Sequence, residues 1–310
     1  MGIALAPQHG DDLEQLLKKA DLALYRSKAM GRNSYTVYDD AMSAELEARN
    51  TLESDLRDAI ARCQLEVHYQ PFFDVMSGKR RGLEALVRWR HPVKGLIPPD
   101  QFIPLAEETG LIVPLGEWVI QQACNDATWL PPDLKVAVNL SPVQFKQEEL
   151  FDIIQSALQA SGLPPERLEL EITESVLLEH AAENHACVEK LKSIGISLAL
   201  DDFGIGYSSL SYLTTFPFDK IKIDKSFIRD LTSGRKLPAI ISSVVTLARG
   251  LNILVTAEGI ETPEQFERLK ALGVDFAQGY LLGRPLPIGE LEPEPEATTY
   301  VSPPVDANAA

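Results

Sequence analysis

Residues 197–210 read SLALDDFGIGYSSL. An apolar run ends abruptly in two adjacent aspartates, and a glycine-rich stretch follows. Side chains of a strand alternate between its faces, so Asp201 and Asp202 cannot share a task within regular pleat. They can share one where the strand opens into a loop. Working outward, seven further strand patterns surround this one: residues 65–73, 82–89, 135–141, 167–175, 218–224, 252–259 and 275–282. The segments between most of them carry helical signatures. Residues 148–162 are amphipathic and run into Gly162, and residues 237–250 end at Gly250. In 261–273, Thr262 can cap a helix, Pro263 suits its first position, Gln265 completes a capping box and Gly273 stops it. The connection DVMSGKRR between the first two strands is too short for a crossover helix, so that pair reads as antiparallel. Alternating strands and helices of this number point to an α/β fold, a TIM-type (β/α)8 barrel with an irregular first strand.

Barrels of this type place their chemistry at the carboxyl ends of the strands. Here those positions are polar: Glu84, Asn139, Glu171, Asp201 with Asp202, Lys222, Glu258 and Gln278. Any one of them alone is unremarkable as a salt-bridge partner or loop residue. Five carboxylates at one barrel mouth are different, because each close pair repels by ~4 kcal/mol at an effective dielectric near 20. Cations or protons must offset that repulsion. Oxygen donors without His or Cys favour Mg²⁺ or Mn²⁺ over Zn²⁺. Two ions would suit in-line displacement at phosphorus, with Asp201 bridging them and Asp202 on the second.

The 310 residues are 45% hydrophobic, with 29 basic against 45 acidic side chains and a formal charge of −16. Such a chain is a poor candidate for binding DNA or RNA polymers or an anionic membrane surface. Cys63, Cys124 and Cys187 lack CxxC spacing and read as reduced thiols. No stretch approaches the ~20 apolar residues of a membrane helix. The first 40 residues hold one helical pattern, 11–31, closed by Gly31, and a second helix is expected over 45–64. Residues 291–310, rich in Pro, Glu and Ala, read as a disordered tail.

The motifs EALVRW (84–89), VNLS (138–141), EITES (171–175), DDFGIGYSSL (201–210), KIDK (222–225), AEGIE (257–261) and QGYLLGRP (278–285) resemble the EAL domain, a family of cyclic di-GMP phosphodiesterases. The resemblance covers roughly residues 52–288, and the barrel domain it implies is 52–290. Residues 1–40 resemble the end of a GGDEF domain, without its cyclase signature, and residues 41–51 read as the start of a linker helix. The resemblance implies hydrolysis of cyclic di-GMP to linear pGpG with two Mg²⁺ or Mn²⁺ ions, Ca²⁺ being inhibitory. It implies Glu84, Asn139, Glu171, Asp201 and Asp202 as metal ligands, and Glu258 and Lys222 as catalytic groups. Gln70, Leu86, Arg88 and Gln278 would contact substrate, and Glu174 and Glu261 would steady the loop after Asp202. It further implies a homodimer through that loop and the helix beyond it. The location implied is cytoplasmic, with any membrane anchor upstream. Ile205 stands where the family usually has threonine, which bears on regulation more than on chemistry. The rival function is a silent cyclic di-GMP receptor; a kinase reading of Asp202-Phe203-Gly204 fails for want of a glycine-rich loop and an HRD stretch.

Overall fold

The computed structural model describes residues 1–29, 34–62, 64–174, 176, 181–204, 211–231, 234 and 236–291. Gly31, Cys63, Ile205 and the tail from 292 onward lie outside the described residues. The chain forms two compact units, Met1–Arg62 and Cys63–Ala310.

The first unit pairs two short parallel strands, β1 (Gly2–Ile3) and β2 (Thr36–Val37), beside helices α1 (Leu13–Ala29) and α2 (Asp40–Ala61). Its small core gathers Ala23, Tyr38 and Met42 with the partly buried Ala4 and Leu22. Helix α2 starts five residues earlier than the apolar spacing predicts. The reason is Asp39, whose side chain accepts from the Ala41 amide and caps the new first turn.

The second unit runs β3 (Leu65–Asp74), β4 (Arg80–His91), β5 (Gly95–Ile97), α3 (Pro99–Thr109), α4 (Ile112–Ala127), β6 (Lys135–Leu140), α5 (Pro142–Phe145), α6 (Leu150–Ser161), β7 (Leu168–Thr173), α7 (Ala181–Ser193) and β8 (Ser197–Phe203). It continues with α8 (Ser211–Thr215), β9 (Lys220–Ile223), α9 (Lys225–Arg229), α10 (Lys236–Gly250), β10 (Leu254–Ala257), α11 (Pro263–Leu272), β11 (Phe276–Gln278) and β12 (Leu286–Pro287). The strand order is β12-β3-β11-β10-β9-β8-β7-β6-β4-β5, and a β3–β4 pairing closes the sheet on itself. Leaving out β5 and β12, which hang on β4 and β3, the barrel is the expected (β/α)8 type. Strand β3 is antiparallel to both β4 and β11, while β4, β6, β7, β8, β9, β10 and β11 run parallel.

Local chemistry explains the boundaries. Thr262 accepts from the Gln265 amide, and Gln265 Oε1 accepts from the Thr262 amide, closing the capping box of α11. Gly162 and Gly273 end α6 and α11 in the left-handed region, at φ 71° and 79°. Helix α10 ends at Gly250, but the left-handed residue there is Asn252, at φ 59°. Outward strand residues such as Val136, Val138, Leu170, Ile172, Leu198, Leu200, Ile221 and Val255 are buried and form the aliphatic layer. Gly82 faces inward at the barrel floor, where a Cβ would sit 2.4 Å from Phe72 Cζ and 2.6 Å from the Lys135 carbonyl oxygen.

Candidate active site

Register sets which side chains share the interior. Gln70 pairs with Glu84, Glu84 with Ala137, Asn139 with Glu171, and Glu171 with Ala199. Residues paired in register point to one face, so these line the barrel with Asp201, Lys222, Glu258 and Gln278. The hub is Lys222, 2% exposed. Its Nζ lies 2.5 Å from Glu171 Oε2, 2.6 Å from Glu258 Oε1, 3.4 Å from Asp201 Oδ1 and 3.6 Å from Glu84 Oε2. Burial disfavours its charge, but Asp201, Glu171, Glu258 and Glu84 outweigh burial and hold the ammonium protonated well above the usual lysine range.

One ammonium cannot satisfy four carboxylates. Burial and the neighbouring Glu84 push Glu171 well above the usual carboxylate range, against the pull of Lys222. Glu258 rises from 4.5 to about 8 through burial, with Asp201 and Glu84 adding to it and Lys222 opposing. Glu84 goes the other way: burial would raise it, but Lys222 and two amide donors hold it down. Those donors are Asn139 Nδ2, 2.7 Å from Oε1, and Gln278 Nε2, 2.6 Å from Oε2. Gln278 Nε2 also reaches Gln70 Oε1 at 3.3 Å, and Gln70 donates to the Gly283 carbonyl at 3.0 Å.

The paired aspartates escape strand alternation through a register shift between Leu200 and Phe203 and a positive φ of 54° at Asp202. The Asp202 amide donates to Asp201 Oδ1 at 2.9 Å. Burial and the charges of Asp201 and Asp224 raise the Asp202 pKa, which Lys222 and Lys225 partly offset. Just beyond, the Gly204 amide donates to Glu174 Oε1 at 2.9 Å, which ties the buried Glu174 to the start of this loop. Glu261 is exposed on the rim, and the loop it was expected to steady, 205–210, lies outside the described residues.

Two cavities open beside this cluster. One, of about 310 Å³, is lined by Leu86, Arg88, Glu107, Leu115, Asn139 and Ser141, among others. The other, of about 300 Å³, is lined by Gln70, Glu84, Leu86, Glu258, Glu261 and Tyr280, among others. Leu86 is common to both. Strand β4 runs on for seven residues past Glu84, because it pairs with β3 and β5 beyond the barrel, so Glu84 is not at its strand's end as expected. That extension carries Leu86 and Arg88 to the mouth.

The reading from strand ends missed a second buried pair. Lys220 Nζ lies 2.6 Å from Glu169 Oε1, with both side chains at most 5% exposed, beneath the first cluster. The ammonium also stands 4.3 Å from the Phe72 ring centroid. The signal was available: Glu169 and Lys220 are two residues before Glu171 and Lys222, on the same strand faces.

Among the described residues, no three His, Cys, Asp or Glu side chains already form a cage for a metal ion. The carboxylates turn onto Lys222 instead. The donor set nevertheless suits a hard divalent cation: it is all oxygen and in excess over its one ammonium, Glu84, Glu171 and Asp201 are buried, and Glu171, Glu258 and Asp202 are shifted up by burial and by neighbouring carboxylates.

Fold and mouth together define a class: a TIM-type barrel with a cation-receptive, oxygen-donor pocket at the carboxyl ends of its strands. Comparison with known proteins narrows this to a family. The chain matches the EAL domain over residues 53–285 and belongs to that family. It is 47% identical over 290 residues to an uncharacterized protein of Sinorhizobium fredii, covering 94% of this chain and 35% of that one. To MucR of Pseudomonas aeruginosa, a bifunctional diguanylate cyclase/cyclic di-GMP phosphodiesterase, it is 44% identical over 295 residues, covering 94% of this chain and 43% of that one. The chain thus spans well under half the length of these curated relatives. The solved PaMucR phosphodiesterase, in complex with c-di-GMP, is 46% identical and superposes with a TM-score of 0.74, covering 76% of this chain and 98% of that one.

Proposed function

We propose that this chain hydrolyses one phosphodiester of cyclic di-GMP to give linear pGpG, using divalent metal ions. The observation that carries the reading is the convergence of Glu84, Glu171, Asp201 and Glu258 from four strands on Lys222. The family membership and the activity named for MucR support it.

Glu84, Asn139, Glu171 and Asp201 would hold one ion, and Asp201 with Asp202 a second. Bound there, such ions supply a lowered water pKa and neutralise charge that develops on phosphoryl oxygens. The chain's own groups do the rest. Glu258, whose Oε1 lies 2.6 Å from Lys222 Nζ in the cluster, would act as general base toward attacking water. Lys222 remains an ammonium and offers its N–H donors and charge to the phosphate. Arg88, half-buried at the junction of the mouth and the larger cavity, presents a guanidinium fork of the shape that phosphate oxygens accept. Gln70, Gln278 and Leu86 would contact substrate: Gln278 donates to Glu84, Gln70 donates to the Gly283 carbonyl, and Leu86 lines both cavities.

In the same reading the working ions are Mg²⁺ or Mn²⁺, with Ca²⁺ inhibitory. Copies pair through the loop and helix after Asp202. Residues 1–40 are the end of a GGDEF domain, 41–51 begin a linker helix, 52–290 are the catalytic barrel, and the chain works in the cytoplasm. No described helix is long and apolar enough to cross a membrane.

The test is incubation of the purified chain with cyclic di-GMP and Mg²⁺ or Mn²⁺, with pGpG read by chromatography. Conversion is expected, and Glu84→Ala should slow it by about 10²- to 10³-fold with an unchanged circular dichroism spectrum. Tight binding of cyclic di-GMP without any pGpG would make the chain a receptor instead.

A further inference from the structure

Two buried lysine–glutamate pairs join β7 and β9 across the intervening β8. The upper one, Lys222 with Glu171, belongs to the mouth described above. The lower one, Lys220 with Glu169, lies a layer deeper at 2.6 Å, its side chains 5% and 1% exposed, and takes no part in the reaction proposed above. Stability alone is a weak reason for it, because apolar residues of similar volume often serve as well as a buried ion pair. Aromatic rings hold the lower ammonium too: Lys220 Nζ stands 4.3 Å from the Phe72 ring centroid and 5.0 Å from that of Phe276.

Sheet register offers Lys220 a different partner. Glu171 pairs with Ala199, and Ala199 pairs with Lys220, so Glu171 and Lys220 share one row with only a methyl side chain between them. Glu169 is in register with Ser197, a step nearer the barrel floor. Lys220 nonetheless leans down to Glu169 and the two rings, and Glu171 turns to Lys222. Glu171 thus stands between two buried ammonium groups and is left to one of them because Glu169 occupies the other. An unpaired cation in this dry interior would attract the carboxylate in its own row strongly.

We propose that Glu169 is a positioning residue of the metal site: by holding Lys220 at the barrel floor, it leaves Glu171 available as a ligand. This rests on the reading above in which Glu171 ligates a divalent ion. On entry of that ion Glu171 then gives up one ammonium, that of Lys222, and not two. Without Glu169, Lys220 is a buried charge lacking its partner, and drawing Glu171 down to it takes a ligand out of the mouth. With both members of the lower pair removed, no such charge remains. Loss of Glu169 alone is therefore more damaging to the site than loss of the whole pair.

The experiment is calorimetric titration of the metal-free chain with Mn²⁺, for the native chain, Glu169→Gln and the double variant Glu169→Gln/Lys220→Met, with turnover of cyclic di-GMP and urea denaturation measured alongside. Glu169→Gln should weaken Mn²⁺ binding by about 10- to 100-fold and slow turnover by a similar factor. The double variant, which lacks the pair altogether, should bind Mn²⁺ within about 3-fold of the native chain. A purely structural pair would lower the urea midpoint of both variants and leave the Mn²⁺ affinity of the folded chains unchanged. Native affinity in Glu169→Gln would overturn the inference. So would a double variant that binds as weakly as the single one or does not fold, since the pair's own contacts would then matter rather than the charge left behind. If Glu169→Gln does not fold, the double variant decides: near-native Mn²⁺ binding upholds the inference and weakened binding overturns it. A native chain that takes up no Mn²⁺ would instead overturn the metal-dependent reading, and this inference with it.

Discussion

At the scale of single residues, the site is governed by a shortage of positive charge. Lys222 meets Glu84, Glu171, Asp201 and Glu258, and the protein resolves the imbalance by keeping protons on some carboxylates. This makes stability depend on pH. The folded-state pKa of Glu258 is raised from 4.5 to about 8, so between those values the folded chain holds a proton that the unfolded chain has released. Stability without metal must therefore fall as pH rises through that window and level off above it. Glu171 is shifted in the same direction. Glu84 is depressed, so its contribution is already complete above its unfolded value and adds no slope there. Glu258→Gln should flatten the decline in urea-denaturation stability from about pH 5 to about pH 8, measured in chelator. Parallel profiles for variant and native chain would contradict the proton on Glu258. Much of this set is legible in the sequence, because Asn139, Glu171, Asp201 and Lys222 stand as polar residues at the carboxyl ends of strand patterns. The lysine's place at the centre was not, because its four partners lie 21 to 138 residues away in the chain and no local pattern encodes their meeting.

At the scale of elements, the same alternation held further than it was applied. Stopping at strand ends left out Glu169 and Lys220, which the period places on the same faces one layer down. The antiparallel first pair was legible from its short connection, and α11 from its capping box. The stretch between the second and third expected strands was not divided. It folds as β5, α3 and α4, with Pro104 inside α3 blurring the helical signal. Closure of the barrel depends on a close approach that only glycine allows. Gly82 on β4 leaves room for Phe72 of β3 and for the β6 backbone at Lys135. A methyl group there meets a ring edge and a carbonyl that is fixed in the sheet. Gly82→Ala should cost about 1–3 kcal/mol in urea denaturation. An unchanged midpoint would show that the β3–β4 seam is looser than its contacts imply.

At the scale of the whole molecule, a chain with a formal charge of −16 gathers four carboxylates around one ammonium inside a closed sheet. That arrangement makes sense if divalent cations are meant to enter, because binding converts mutual repulsion into attraction and stabilises the fold by mass action. On the proposed reading, metal ions held there would, with Arg88 and Lys222, reverse the local field of an acidic chain where an anionic phosphate would sit. The most direct test is calorimetric titration of the metal-free chain with Mn²⁺, repeated for Asp201→Asn. The account predicts two ions per native chain with a raised melting temperature, and loss of at least one ion in the variant. A native chain that takes up no Mn²⁺ at saturating concentration, or an Asp201→Asn chain that binds it as the native chain does, would contradict it.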